Sequence, residues 1–97
     1  MIKHIVMINF KEENKQENIK EAKKMLEDLL QSVPSLNSIE VGINFSTEDR
    51  SMDMSLYTEF NDRAGLELYA VHPEHLKVLD FIRSVATGSK VSDYEIV

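Results

Sequence analysis

Residues 37 to 60 read NSIEVGINF-STEDRS-MDMSLYTEF, two alternating runs on either side of a polar turn. In the first run Ile39, Val41, Ile43 and Phe45 share one parity, while Ser38, Glu40, Gly42 and Asn44 take the other. Successive side chains of a strand point to opposite faces, so this pattern predicts a half-buried strand. Met52, Met54, Leu56, Thr58 and Phe60 alternate in the same way against Asp53, Ser55, Tyr57 and Glu59. Two such runs joined by a short polar stretch predict a hairpin, and with it an antiparallel sheet. Gly42 has no side chain in mid-strand, and it is expected to mark a bulge or a place of close packing.

Upstream, Ile2, Val6, Ile8 and Phe10 share one parity and Ile5 and Met7 the other, which predicts a strand over 2 to 10 with both faces partly buried. Asn14, with Glu17 three residues on, predicts the start of a helix. Ile19, Ala22, Leu26, Leu29, Leu30 and Val33 recur at helical spacing, and Pro34 stops that helix near Ser32. Downstream, Asp62 is placed to cap a short helix through Leu66, Leu68 and Tyr69. His72-Pro73 interrupts it, and Pro73 opens a second helix with Leu76, Leu79, Ile82 and Val85 on its apolar stripe. Gly88 is the expected stop, and residues 90 to 97 read as a final strand. The order β-α-β-β-α-β predicts an α+β sandwich with an antiparallel sheet and both long helices on one face. Ile2, Val6, Ile8 and the methionines suggest that the other face is not fully wet, and no element is left to cover it. A homodimer formed through that face is the expected answer.

Ninety-seven residues suffice for one hydrophobic core and not two, so 1–97 is expected to be a single domain. A net charge of −6, from 17 acids and 11 bases, argues against a nucleic-acid partner. The lysines of KEENKQENIKEAKK alternate with acids, as on a solvated helix face. No cysteine is present, which excludes a disulfide framework and a thiolate metal site. The opening MIKHIVMINF is too short an apolar run to span a membrane and has no cleavage pattern, so no membrane partner and a cytoplasmic location are expected. There is no glycine-rich phosphate loop or nucleophile elbow, and no cofactor is expected.

Six further pieces carry a resemblance. They are IKHIV at 2–6, VPSL at 33–36, IEVG at 39–42, EFND at 59–62, LYAVHPEH at 68–75 and VSDYE at 91–95. Together they resemble the stress-responsive A/B barrel domain family, over essentially the whole chain from Ile2 to Glu95. The resemblance implies a ferredoxin-like βαββαβ protomer whose sheet packs on that of a partner, a dimeric α/β-barrel. It says less about activity, because the family includes stress-induced plant proteins, bacterial proteins of unassigned activity and a few polyketide cyclases. In the cyclase branch a histidine near the start of the last long helix acts as base and a tyrosine just upstream assists it. Those positions correspond to His75 and Tyr69. A first-strand histidine corresponds to His4 and a last-strand aspartate to Asp93. A further pocket histidine of that branch falls where this chain has Met54, a departure from the cyclase pattern.

The residues themselves support two readings of each candidate. His4 shares the parity of Ile2 and Val6, so its ring needs a hydrogen-bond partner on an apolar surface. It is either a structural histidine bonded to Asp93 or backbone, or a pocket-lining acid or base. His75 falls in the first turn after Pro73, where the positive helix end favours the neutral ring suited to a general base. Asp93 is the candidate carboxylate to orient it. Packing is the rival reading for His75 and for Tyr69, while His72 is read as a cap or surface residue. HPEH lacks the spacing that sets two ligands one helical turn apart, so no metal site is expected. Three function classes stay open: a homodimer binding a small apolar or aromatic ligand, an enzyme enolising a β-dicarbonyl substrate through His75 and Tyr69, and a structural dimer without a pocket.

Overall fold

The computed structural model describes residues 1 to 97. Its elements are β1 (Ile2–Phe10), α1 (Lys15–Ser32), β2 (Ser38–Ile43), β3 (Met54–Phe60), α2 (Arg63–Val71), α3 (Pro73–Val85) and β4 (Ala86–Glu95). The strands form one antiparallel sheet in the order β2-β3-β1-β4. With the helices on one face, this is a ferredoxin-like α+β sandwich.

The sheet is not closed, and the expected α/β-barrel is corrected on that point. β2 bonds only to β3 and β4 only to β1, so both outer strands keep a free edge. Neighbouring strands lie about 4.8 Å apart, and closing a ribbon into a small barrel takes about eight of them. Four strands cannot bring their own edges together.

Alternation decides what each face meets. Ile2, Ile8 and Phe10 of β1 and Met54, Leu56, Thr58 and Phe60 of β3 are buried under the helices. From the helix side Ile19, Ala22, Leu26 and Leu29 complete the core. Ile2 and Ile8 therefore belong to the helix-covered face, contrary to their expected place on the open one. The open face instead carries Ile5, Met7, Tyr57 and Tyr94, with Lys3 paired to Glu59 and lying over the Tyr57 ring. Two glycines also differ from expectation. Gly42 pairs with Ser55 in unbroken register and a Cβ there would meet nothing within 4 Å, so it marks neither a bulge nor a close approach. Gly88 lies inside β4 opposite Asn9, next to a register shift, and does not end the helix.

The helix ends follow local chemistry. Asp62 caps α2 by accepting the Gly65 N–H at 2.8 Å. Asn14 precedes α1 in a left-handed conformation, φ 53°, and its side chain makes no cap bond. Asparagine tolerates that conformation better than most residues.

Candidate functional site

The break between α2 and α3 brings three rings together. Tyr69 is the last buried residue of α2, only 1% exposed, packed 5.1 Å from Phe60 between ring centres. The His75 ring lies against it at 4.1 Å and a tilt of 36°, while the His4 ring meets it edge-on at 6.2 Å. The Tyr69 hydroxyl is buried without a hydrogen-bond partner. Burial pushes the phenol well above its ordinary range, so it stays protonated and remains a donor.

His75 owes its place to the proline. Pro73 drives His72 out of helical geometry, to φ −63° and ψ 134°, and starts α3 on a new axis. His75 then sits in the first turn with Nδ1 3.1 Å from the Ala70 carbonyl oxygen. A carbonyl only accepts, so Nδ1 carries the proton and Nε2 keeps its lone pair. Burial lowers the affinity of this ring for a second proton, and the charges of His4, Arg83 and His72 add to that; the Ala70 bond opposes it. The ring is therefore a neutral base near pH 7.

Asp93 does not orient His75. The register places Asp93 directly across from His4 on the adjacent strand, and its carboxylate bonds His4 Nδ1. His75 takes a nearer backbone oxygen instead. His4 is thus anchored through Asp93 and also lines the space below Tyr69.

That space is a cavity of about 250 Å³ between the sheet and α3. His4, Tyr69, His75 and Ser89 are its polar lining; Val6, Val78, Ile82 and Val91 supply much of the rest. It falls just below the usual size range of ligand cavities, which starts at ~300 Å³, and leaves room only for a compact molecule. A larger hollow of about 370 Å³ runs between α2 and the end of β4, but Arg63 and Glu95 in its wall are already paired with each other at 3.5 Å. Met54 does not line the cavity; it is fully buried in the core, opposite Ile8 and Ile43. No three His, Asp or Glu side chains converge as a metal site. Sequence reasoning missed Ser89 and the Ala70 carbonyl. A serine in a strand gives no signal until register places it opposite Ile8, and a backbone oxygen gives none at all.

A ferredoxin-like sandwich with an apolar cavity under its helices defines the class of protein. The model of the stress responsive A/B barrel domain matches residues 2–96, and the chain belongs to that family. Among solved structures, a dimeric protein of unknown function from Bacteroides fragilis is similar at 27% identity, TM-score 0.89, with 98% of this chain and 95% of that one covered. A dimeric ferredoxin-like protein of unknown function from Jannaschia is similar at 29% identity, TM-score 0.84, with 98% of both chains covered. A hydroxynitrile lyase from Passiflora edulis shares the fold at 19% identity, TM-score 0.87, with 99% and 93% covered. Among curated proteins none matches this sequence.

Proposed function

We propose that this chain is a homodimer that binds a small apolar or aromatic molecule bearing an accepting oxygen, in the cavity between the sheet and α3. The observation that carries the reading is Tyr69, which lines a mostly apolar cavity and whose hydroxyl is a buried donor without a partner. An unpaired buried hydroxyl is costly, and a ligand oxygen at that point would relieve it. Homodimer formation is supported by the two dimeric relatives and by Met7 and Tyr94, 40% and 42% exposed on the open face of the sheet. The convergence of His4, Tyr69, His75 and Ser89 on one apolar cavity weighs against a purely structural dimer, though its volume is below ~300 Å³.

The test is calorimetry and thermal shift with phenolic acids and acyl-thioesters as probes. A binder should raise the melting temperature of the parent, and Tyr69→Phe should weaken it by about three- to tenfold, the value of one hydrogen bond. Failure of every probe, or equal binding by the variant, rejects the reading.

A second reading has one observation of its own: a neutral His75 in ring contact with that tyrosine. In it His75 Nε2 removes an acidic C–H proton from a β-dicarbonyl compound. Tyr69 then donates to the oxygen where negative charge develops. Turnover should then fall by about 10²-fold in His75→Ala. Met54, outside the cavity, leaves this reading without the third-strand histidine of the cyclase branch.

A further inference from the structure

The segment Ala70-Val-His-Pro-Glu-His75 contains two histidines whose ring nitrogens do opposite things. His72 Nδ1 accepts the Glu74 backbone N–H at 3.1 Å, so that nitrogen is unprotonated. His75 Nδ1 donates to the Ala70 carbonyl at 3.1 Å, so that nitrogen is protonated. The two bonds are linked by the backbone between them. In a continuous helix the Ala70 carbonyl would accept from residue 74, four positions on. Here the Glu74 N–H is occupied by the His72 ring, and residue 73 is a proline with no N–H to offer. The Ala70 oxygen accepts instead from the His75 ring. It is a helix-end carbonyl released by the His-Pro break and taken up by a side chain.

We infer that His72 is a positioning residue for His75: by capping the Glu74 N–H it fixes the first turn of α3, so that His75 meets the Ala70 carbonyl in the Nδ1–H tautomer, with Nε2 presented as the acceptor. This gives His72 a part beyond the surface or capping place its sequence position suggests. Without the His72 ring, the Glu74 N–H loses its cap and the first turn of α3, which carries His75, frays. His75 then loses the contact that selects its tautomer and orients its ring against Tyr69. The inference rests on the reading of His75 as a cavity group, yet its test requires no ligand.

Long-range proton–nitrogen correlation spectra of the whole protein, recorded where the rings are neutral, report which nitrogen of each histidine bears the proton. In the parent, His75 should show Nδ1–H and His72 Nε2–H. In His72→Ala the His75 ratio should move about three- to tenfold toward Nε2–H, the worth of one hydrogen bond. His72→Asn keeps a side-chain oxygen able to cap and should restore the parent pattern. His72→Gly is the second uncapped variant, because glycine is tolerated at a cap within a few tenths of a kcal/mol. It decides the matter should the alanine variant fail to fold. An Nε2–H signal for His75 in the parent, or an unchanged Nδ1–H signal in the uncapped variants, overturns the inference. Because these spectra are read on the free protein, failure of the probe-binding experiment is a separate result from failure here.

Discussion

Tyr69 and His75 are held by different forces, and they should answer differently to substitution. The Tyr69 ring is packed by Phe60 and His75, while its hydroxyl is an unmet donor. Tyr69→Phe should therefore leave the free protein as stable as before or more stable by about 1 kcal/mol, read from urea melts, while ligand binding weakens. A loss of stability would mean that the hydroxyl has a partner in solution. His75 gives a pH signature. Its folded ring is harder to protonate than an unfolded one near 6.5, so below that value the unfolded chain binds more protons. The stability it contributes is present above about pH 6.5 and is lost as pH falls from there toward the folded value. Comparing melts at about pH 7.5 and about pH 5.5, the parent should lose more stability than His75→Gln. His4 and His72 are common to both proteins, so their effects cancel to first order.

Among the elements, β2 shows how much a strand pattern conveys and where it stops. Alternation over residues 37 to 45 located the strand and the buried Val41, yet ladder pairing ends at Ile43 and leaves Phe45 98% exposed. Phe45 keeps the parity of a core residue but lies past the last strand pair, where no helix covers it. Gly42 carries the opposite lesson. With open space around its absent side chain, Gly42→Val should be neutral or stabilising by up to about 1 kcal/mol, through the better strand propensity of valine. A destabilised melt would show that the open face is packed against something at that point. The His72-Pro73 break was legible because proline chemistry is local; the Ala70 carbonyl it frees was not, because no side chain announces it.

For the whole molecule, the open sheet sets the remaining question. β4 is exposed along nearly its full length, and Tyr94, 42% accessible, lies on the open face beside Lys3. No helix is long and apolar enough to cross a membrane. If two chains bury the open face together, sedimentation at micromolar concentration should give twice the 11.2 kDa chain mass. Met7→Asp, placing a charge at the centre of that face, should then shift the mass toward one chain. A monomeric parent would reject the dimer, and a dimeric variant would move the interface elsewhere.

The sequence alone determined most of the elements: alternation placed β1, β2 and β3, 3.6-residue spacing the long helix, and Asp62 and Pro73 the starts of α2 and α3, while β4 begins at Ala86, before the expected residue 90. Those features depend on neighbours a few residues away, and local chemistry is enough to read them. The family could also be read from the chain, since its pieces run from Ile2 to Glu95. What joins His4, Tyr69, His75 and Asp93 was decided only in three dimensions. Asp93 could serve His75 or His4 as far as the sequence went. Strand register gave it to His4, because paired residues of adjacent strands stand side by side on one face. The same holds for the sheet. Alternation says which side chains share a face, but which face the helices cover, and whether four strands close or stay open, depends on the packing, curvature and pairing of the assembled sheet, and here both edges stay free.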